Sequence, residues 1–293
     1  DGTPFEGDTR HLLQEAERKA SLDGLQFGIG PECEFYLFKK DEDGRPTLQP
    51  YDDAGYLDVE PLDRGENLRR EICLTLEQMD IHTERSHHEQ GPGQNEIAFT
   101  WSTPLHAADT FITFRNVVAV AAARSGLHAS FMPHPLTDGI GSGLHVNMSV
   151  SGEGIDADKA LLSMTAGIMN RIKEITVFLN TEANSYFRLG HLGAPRRIGW
   201  GRGDRSLLIR IPQEEGDRRR IEVRSPDPAC NPYLVFTLLQ AAAIEGLNSD
   251  MPLTEEHADG GLAEAAAGGN ALPSSLEEAV HLARGSSFVS SVL

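Results

Sequence analysis

Four short stretches of this chain alternate apolar residues with residues that hold ions: Pro31-Glu32-Cys33-Glu34-Phe35, Gln94-Asn95-Glu96-Ile97, Leu144-His145-Val146-Asn147-Met148-Ser149 and Arg220-Ile221-Glu222-Val223-Arg224. Successive side chains of a β-strand point to opposite faces. Glu32 and Glu34 therefore share a face, as do His145, Asn147 and Ser149, and Arg220, Glu222 and Arg224; Glu96 opposes the side of Ile97 and Phe99. Glu89 follows His87 and His88 in the segment leading to the second of these strands. Half-solvated strands alternate routinely, and an isolated Glu-x-Glu is more often a solvent face than a ligand pair. Solvent faces carry Thr, Lys and Gln, however, whereas these carry Glu, His and Arg almost exclusively. Several glutamates packed together are unfavourable unless cations neutralise them. Five glutamates and one histidine, without a cysteine cluster, favour a hard divalent ion, Mg²⁺ or Mn²⁺, over zinc. Arginines beside such ions point to phosphoryl transfer, where both offset the charge on the moving group. The residues alone reach a two-metal phosphoryl-transfer enzyme and stop there.

The rest of the chain reads as an α+β domain. Asp8 is placed to cap a helix through Leu12, Leu13, Ala16 and Ala20 that stops near Gly24. Strands are expected over Phe27–Phe38, Gln94–Trp101, Leu144–Val150, Leu207–Ile211 and Arg219–Arg224. Helical spacing marks Leu68, Ile72, Leu76 and Met79, and further helices are expected over Leu105–Ser125, Asp156–Asn180 and Pro232–Leu247, with a last one starting at Ser274 and Ser275. Gly260–Ala271, rich in Gly and Ala, reads as a surface loop. Helices and hairpin-like strands mix without strict βαβ alternation, which favours a largely antiparallel sheet.

Composition narrows the partners. A net charge of -18 repels nucleic acid and anionic membrane, and no apolar run approaches the roughly 20 residues that span a bilayer. Arginines cluster from Arg196 to Arg224, as local phosphate recognition requires. Cys33, Cys73 and Cys230 are odd in number and lack CxxC spacing, so they read as small buried hydrophobes in a reducing cytoplasm.

Six blocks, in order and covering nearly the whole chain, resemble the signatures of the glutamine synthetase family: Gly30-Pro-Glu-Cys-Glu-Phe35, His87-His-Glu-Gln-Gly-Pro-Gly-Gln-Asn-Glu96, Gly141-Ser-Gly-Leu-His145, Asn184-Ser-Tyr-Phe-Arg188, Arg205-Ser-Leu-Leu-Ile-Arg-Ile-Pro212 and Arg220-Ile-Glu-Val-Arg-Ser-Pro-Asp-Pro-Ala-Cys-Asn-Pro-Tyr233. The resemblance implies one catalytic domain over residues 1–293, with a curved half-barrel sheet lined by metal ligands and backed by helices. It implies an ATP-dependent ligase that phosphorylates the γ-carboxylate of glutamate and couples it to ammonia. Glu34, Glu89 and Glu96 match the ligands of a first metal, and Glu32, His145 and Glu222 those of a second, Mg²⁺ or Mn²⁺. Arg188, Arg224 and Gly141 match contacts to glutamate. Arg205 and Arg210 match the pair that stabilises the transferring phosphoryl group. Ser149, Arg220, Arg210 and Glu84 match positions at the nucleotide, and Trp101 is a candidate to stack on adenine. A homo-oligomeric ring, completed at each site by a neighbour, is implied as well.

Three departures stand out. Gly193 occupies the place of the family's flap glutamate, in a flap one residue shorter, with His191 as a candidate replacement base. Ile140 replaces an asparagine that contacts the amino acid, which suits a less polar substrate. The family's small N-terminal β-grasp domain is expected to lie before Asp1 and its last helices after Leu293, so little turnover is expected of this stretch alone. Three alternatives compete: a γ-glutamyl ligase for another amine, a nucleotide-binding regulatory pseudoenzyme, and a guanidino kinase of similar barrel architecture. His82, His87 and His88 read as surface or satisfied core histidines, with His87 the best site candidate among them.

Overall fold

The structure, a computed structural model, describes residues 2, 4–257 and 270–293. Its strands are β1 (Gln26–Lys40), β2 (Pro46–Pro50), β3 (Thr83–His88), β4 (Gln94–Phe99), β5 (Leu127–Ser130), β6 (Leu144–Ser151), β7 (Arg197–Gly201), β8 (Leu207–Arg210) and β9 (Ile221–Val223). Its helices are α1 (Thr9–Leu22), α2 (Glu66–Gln78), α3 (Pro104–Arg124), α4 (Ala157–Leu179), α5 (Ser185–Arg188), α6 (Pro232–Leu247), α7 (Leu276–Arg284) and α8 (Ser287–Val292).

Helix starts follow their caps. The Asp8 side chain accepts from the Arg10 and His11 amides, and Asp156 does the same for Lys159 at the start of α4. Asn231 caps α6 ahead of Pro232, whose missing N–H costs nothing at a first turn.

The strands join one open sheet in the order β3-β4-β1-β6-β9-β8-β7, with β2 and β5 paired to the far end of β1. All neighbours are antiparallel except β7 and β8. One face supplies the core: Ile29, Cys33, Phe35, Ile97, Phe99, Val146 and Met148 are buried among Phe111, Phe114 and the inner residues of α4 and α6. The other face carries the site. Helices α4 and α6 meet at Gly167 and Gly246, where an added Cβ would stand 2.1 Å from the Ala242 carbonyl and 2.0 Å from the Ser163 carbonyl respectively. Glycine is required at that crossing because the backbones leave no room for a side chain. Among the described residues no helix is long and apolar enough to cross a membrane.

The expected strands and long helices are present, with shifted ends. Strand β4 closes at Phe99, so Trp101 lies beyond it and is 66% exposed. Ser275 caps α7, as expected. Strands β2, β3, β5 and β7 and helices α5 and α8 are not among the expected elements; β3 is Thr-Glu-Arg-Ser-His-His and holds no apolar residue at all. The loop expected over Gly260–Ala271 falls outside the described residues up to position 269.

Candidate active site

Strand register assembles the site. Glu34 pairs directly with Glu96 across β1 and β4, and Glu96 pairs with His87 across β4 and β3. Glu32 pairs with His145 across β1 and β6. Asn147 then pairs with Glu222 on β9, and Glu222 with Arg210 on β8. Directly opposed carboxylates are destabilising in a sheet unless something compensates. Glu32, Glu34, Glu89, Glu96, His145 and Glu222 are nonetheless all buried.

These residues line one cavity of about 130 Å³, together with Arg188, Arg205, Arg210, Arg224, Gly141, Tyr56, His87, Ile140, Leu192 and Gly193. Within it, ligand atoms of Glu32, His145 and Glu222 lie within 4.8 Å of one another, as do those of Glu34, Glu96 and His145, and of His87, Glu89 and Glu96. His145 sits between the first two groups: its Nδ1 is 3.6 Å from both Glu32 and Glu222, and its Nε2 is 3.8 Å from Glu34. The first metal set expected from the sequence, Glu34, Glu89 and Glu96, thus appears as two overlapping groups that share Glu96.

The electrostatics differ between the two ends. Burial and the charges of Glu34 and Glu96 push Glu89 up to about 7. Burial also raises Glu34, helped by Glu96 and opposed by His145. Burial would raise Glu32, but His145, Arg85 and Asn147 outweigh it and hold the carboxyl at about 2. Glu222 is lowered too, since Arg224, His145 and Arg210 prevail over burial. Glu222 contacts the Arg224 guanidinium and lies 2.5 Å from Arg210 Nε. Its Oε2 is buried without an aligned hydrogen-bond donor. A crowded end of buried carboxylates is what a divalent cation would satisfy, so the donor set fits such ions.

The arginines are held from behind. Arg188 is almost fully buried and donates to the Ser225 and Arg224 carbonyls, 2.8 and 3.2 Å away. Arg224 Nε donates to the Arg205 carbonyl at 2.8 Å. Hydrogen bonding with Tyr56 raises Arg205 above its ordinary value. Gly141 lacks a side chain for a reason: a Cβ there would stand 2.6 Å from Arg188 Cγ and 2.7 Å from the Pro133 carbonyl.

Glu84, Ser149 and Arg220 line an adjoining cavity of about 160 Å³ with Trp101, Arg85, Gly28 and Gly30. Arg85 borders both cavities and bonds Glu32 at 2.8 Å. A Cβ on Gly28 would meet Ser149 Oγ at 2.8 Å and the Trp101 ring at 3.1 Å, so the glycine keeps open a slot beside the indole.

Behind the carboxylates, on the other side of the β3–β4 hairpin, lies a second buried cluster. His88 is fully buried; its Nε2 is 2.9 Å from Asp52 Oδ1 and its Nδ1 2.6 Å from the Glu89 carbonyl. Arg69 holds Asp63 through contacts of 2.6 and 3.1 Å, Asn95 at 2.6 Å and Ser86 at 3.2 Å. Asp52, Asp63 and His88 are close enough together to suggest a cation site. Their atoms are already engaged: Asp52 also accepts from the Gly93 and Arg64 amides, and Asp63 from the Gly65 amide. This is a hydrogen-bonded network of the protein itself.

Every site residue expected from the sequence therefore lies on one of two adjoining cavities. His87 joins the carboxylates, His88 is a satisfied core histidine, and His82 is exposed. His191 is different. It is exposed, stands edge-on to His134 with ring centroids 5.5 Å apart, and does not line the cavity, whereas Leu192, Gly193 and Ala194 do. The loop between α5 and β7 turns the histidine outward and presents Leu192 to the cavity instead. Tyr56 and Arg85 were not singled out from the sequence. Neither had a usable signal: Arg85 lies on β3, which has no apolar face to mark it as a strand, and the loop of Tyr56 has no periodicity.

An open sheet in an α+β fold, with one cavity that gathers buried carboxylates, two histidines and five arginines, defines the class: a charge-lined domain built to hold divalent cations beside anionic groups. The comparisons specify it. The model of the glutamine synthetase catalytic domain matches residues 6–293. The chain is 44% identical over 263 residues to a glutamine synthetase of Clostridium saccharobutylicum, covering 86% of this chain and 59% of that one. It is 42% identical to a glutamine synthetase of Methanosarcina mazei over an alignment of 317 positions, covering all of this chain and 69% of that one. Among solved structures, a GmaS complex with ADP superposes with a TM-score of 0.89 at 26% identity, covering 100% of this chain and 71% of that one. The glutamine synthetase of Plasmodium falciparum shares the fold, with a TM-score of 0.83 at 20% identity over 99% of this chain and 73% of that one. The chain belongs to the glutamine synthetase catalytic-domain family. It spans about six tenths of the length of most of the curated relatives it matches.

Proposed function

We propose that residues 1–293 act as the catalytic domain of an ATP-dependent ligase that phosphorylates the γ-carboxylate of glutamate and joins the acyl group to ammonia. The observation that carries this reading is the strand register: it stacks Glu34 on Glu96 and Glu32 on His145, and brings arginines to the same cavity. Membership of the family and the curated relatives named glutamine synthetase support it.

Glu34, Glu89 and Glu96 would hold one Mg²⁺ or Mn²⁺, and Glu32, His145 and Glu222 a second. Such ions, when bound, neutralise phosphate charge and draw electron density from the phosphoryl group. Glu84, Ser149, Arg220 and Arg210 hold the nucleotide, on the side where Trp101 flanks the slot at Gly28. Arg188, Arg224 and the Gly141 backbone grip glutamate. Arg205 and Arg210 offset the charge on the phosphoryl oxygens as the γ-carboxylate oxygen attacks the terminal phosphorus of ATP, the bond to the bridging oxygen breaks and ADP leaves. The amine nitrogen then adds to the acyl carbon and phosphate leaves. The buried cavity keeps water from hydrolysing the acyl phosphate first. The active assembly is a homo-oligomeric ring in the cytoplasm.

One observation favours a larger amine as nucleophile. The carboxylates lining the cavity are Glu32, Glu34, Glu89, Glu96 and Glu222, all within the two donor sets, while Ile140, Leu192 and Gly193 bring no charge to it. No carboxylate among these is left over to receive an ammonium ion. The test is phosphate release from ATP by the full-length protein with glutamate and a panel of amines. Release with ammonia as sole nucleophile supports glutamine formation; a marked preference for alkylamines supports the second reading. Nucleotide binding without release for any amine refutes both and leaves a regulatory binding protein.

A further inference from the structure

The network behind the β3–β4 hairpin has no part in the chemistry above, yet it touches the chain at Glu89, whose carboxylate groups with those of Glu96 and with His87. His88 and Asn95 form one cross-strand pair, next to the pair of His87 and Glu96. Because side chains alternate, His87 and Glu96 face the cavity while His88 and Asn95 face away from it. The Glu89 carbonyl can only accept, so the His88 Nδ1 that lies 2.6 Å from it carries the proton and donates. The opposite ring nitrogen meets Asp52, which is itself fixed by the Gly93 and Arg64 amides. The His88 carbonyl accepts from the Leu57 amide at 3.1 Å, so the loop that carries Tyr56 is tied to the same residue. Arg69 locks Asn95 and Ser86 from the same side. A buried imidazole with both nitrogens engaged cannot rotate, and its hydrogen bond leaves the Glu89 peptide one orientation.

We propose that His88, oriented by Asp52, is a positioning residue for the first cation site: its hydrogen bond to the Glu89 carbonyl sets the peptide from which the Glu89 carboxylate reaches toward Glu96 and His87. It touches neither substrate nor ion. The inference rests on the reading that Glu34, Glu89 and Glu96 hold a divalent cation. Partners that orient metal ligands are typically worth about 10–100-fold in metal affinity.

The experiment is a Mn²⁺ titration of the purified protein without nucleotide, following free Mn²⁺ by electron paramagnetic resonance, with the melting temperature measured alongside. Two glutamine and asparagine variants separate the halves of the contact. His88→Gln places an amide near Nε2, keeping the Asp52 contact and losing the bond to Glu89. His88→Asn places an amide near Nδ1 and keeps that bond. His88→Gln is expected to weaken one class of Mn²⁺ site by about 10–100-fold and leave the other unchanged, while His88→Asn stays within about threefold of the unaltered protein. Should His88→Gln fail to fold, Asp52→Ala, which removes the group that holds Nε2 and leaves the ring in place, is expected to weaken the same class. Unchanged binding in the variant that folds, or parallel weakening of both classes with a lowered melting temperature, overturns the proposal. If the unaltered protein binds no Mn²⁺, the cation reading itself fails, and this inference with it.

Discussion

Replacing Glu96 with Gln separates the cost of the carboxylate cluster from its use. Glu34 and Glu96 oppose each other across β1 and β4, with ligand oxygens no more than 4.8 Å apart. Two unit charges at that distance repel by about 3 kcal/mol at an effective dielectric constant of roughly 20. Gln keeps the volume but removes one charge. It also forfeits the 3.2 Å contact with His87, which returns about 1 kcal/mol. In the presence of a chelator, Glu96→Gln is therefore expected to stabilise the protein by about 1–2 kcal/mol, or several degrees in melting temperature. Excess Mn²⁺ reverses the ranking. A cation at about 100 times its dissociation constant adds about 2.7 kcal/mol to the unaltered protein, and the variant, short of one ligand shared by two groups, gains little of it. Scanning calorimetry of both proteins in EDTA and in excess Mn²⁺ gives the four values. A variant less stable than the unaltered protein in EDTA, and equally stabilised by Mn²⁺, would refute the claim that these carboxylates are held together for a cation.

Three further outcomes are expected elsewhere. Gly246→Ala drives a methyl group into the Ser163 carbonyl at the α4–α6 crossing, costing about 3 kcal/mol or more in chemical denaturation; a loss under 0.5 kcal/mol would show that the helices separate freely. Arg69→Ala strands the buried Asp63 carboxylate and is expected to cost about 3–5 kcal/mol by the same measurement. Asp109 is lowered by its hydrogen bond with Arg10, by Tyr233 and by the Arg10 charge, against burial. A depressed carboxyl stabilises above its unfolded value and loses that contribution as pH falls through the folded one. Asp109→Asn therefore costs at most about 1 kcal/mol at neutral pH, because the pair is partly exposed; the difference from the unaltered protein shrinks below about pH 4 and is checked by urea melts from acid to neutral pH.

Much of the site was legible because chemistry and period coincide. Glu32-Cys33-Glu34 and His145-Val146-Asn147 show an ion-binding face and a core face in the sequence, and the structure buries Cys33 and Val146 in the core while Glu32, Glu34 and His145 line the carboxylate cavity and Asn147 the adjoining one. Strand β3 was not legible, because alternation is visible only when one face is apolar, and all its residues are polar. The outward turn of His191 could not be read either, since a loop has no local period and its packing decides which side chain faces inward.

The sequence by itself determined which residues can pair with ions and on which face of each strand they stand, because a two-residue period is a local property of the backbone. Only the tertiary structure decided which carboxylates oppose each other, that Glu96 is shared between two groups, and that Asp52, more than 30 positions away in the chain, closes on His88. Register, the packing of α4 on α6 through Gly167 and Gly246, and the course of the Tyr56 loop are set by contacts between distant segments. No local pattern encodes them.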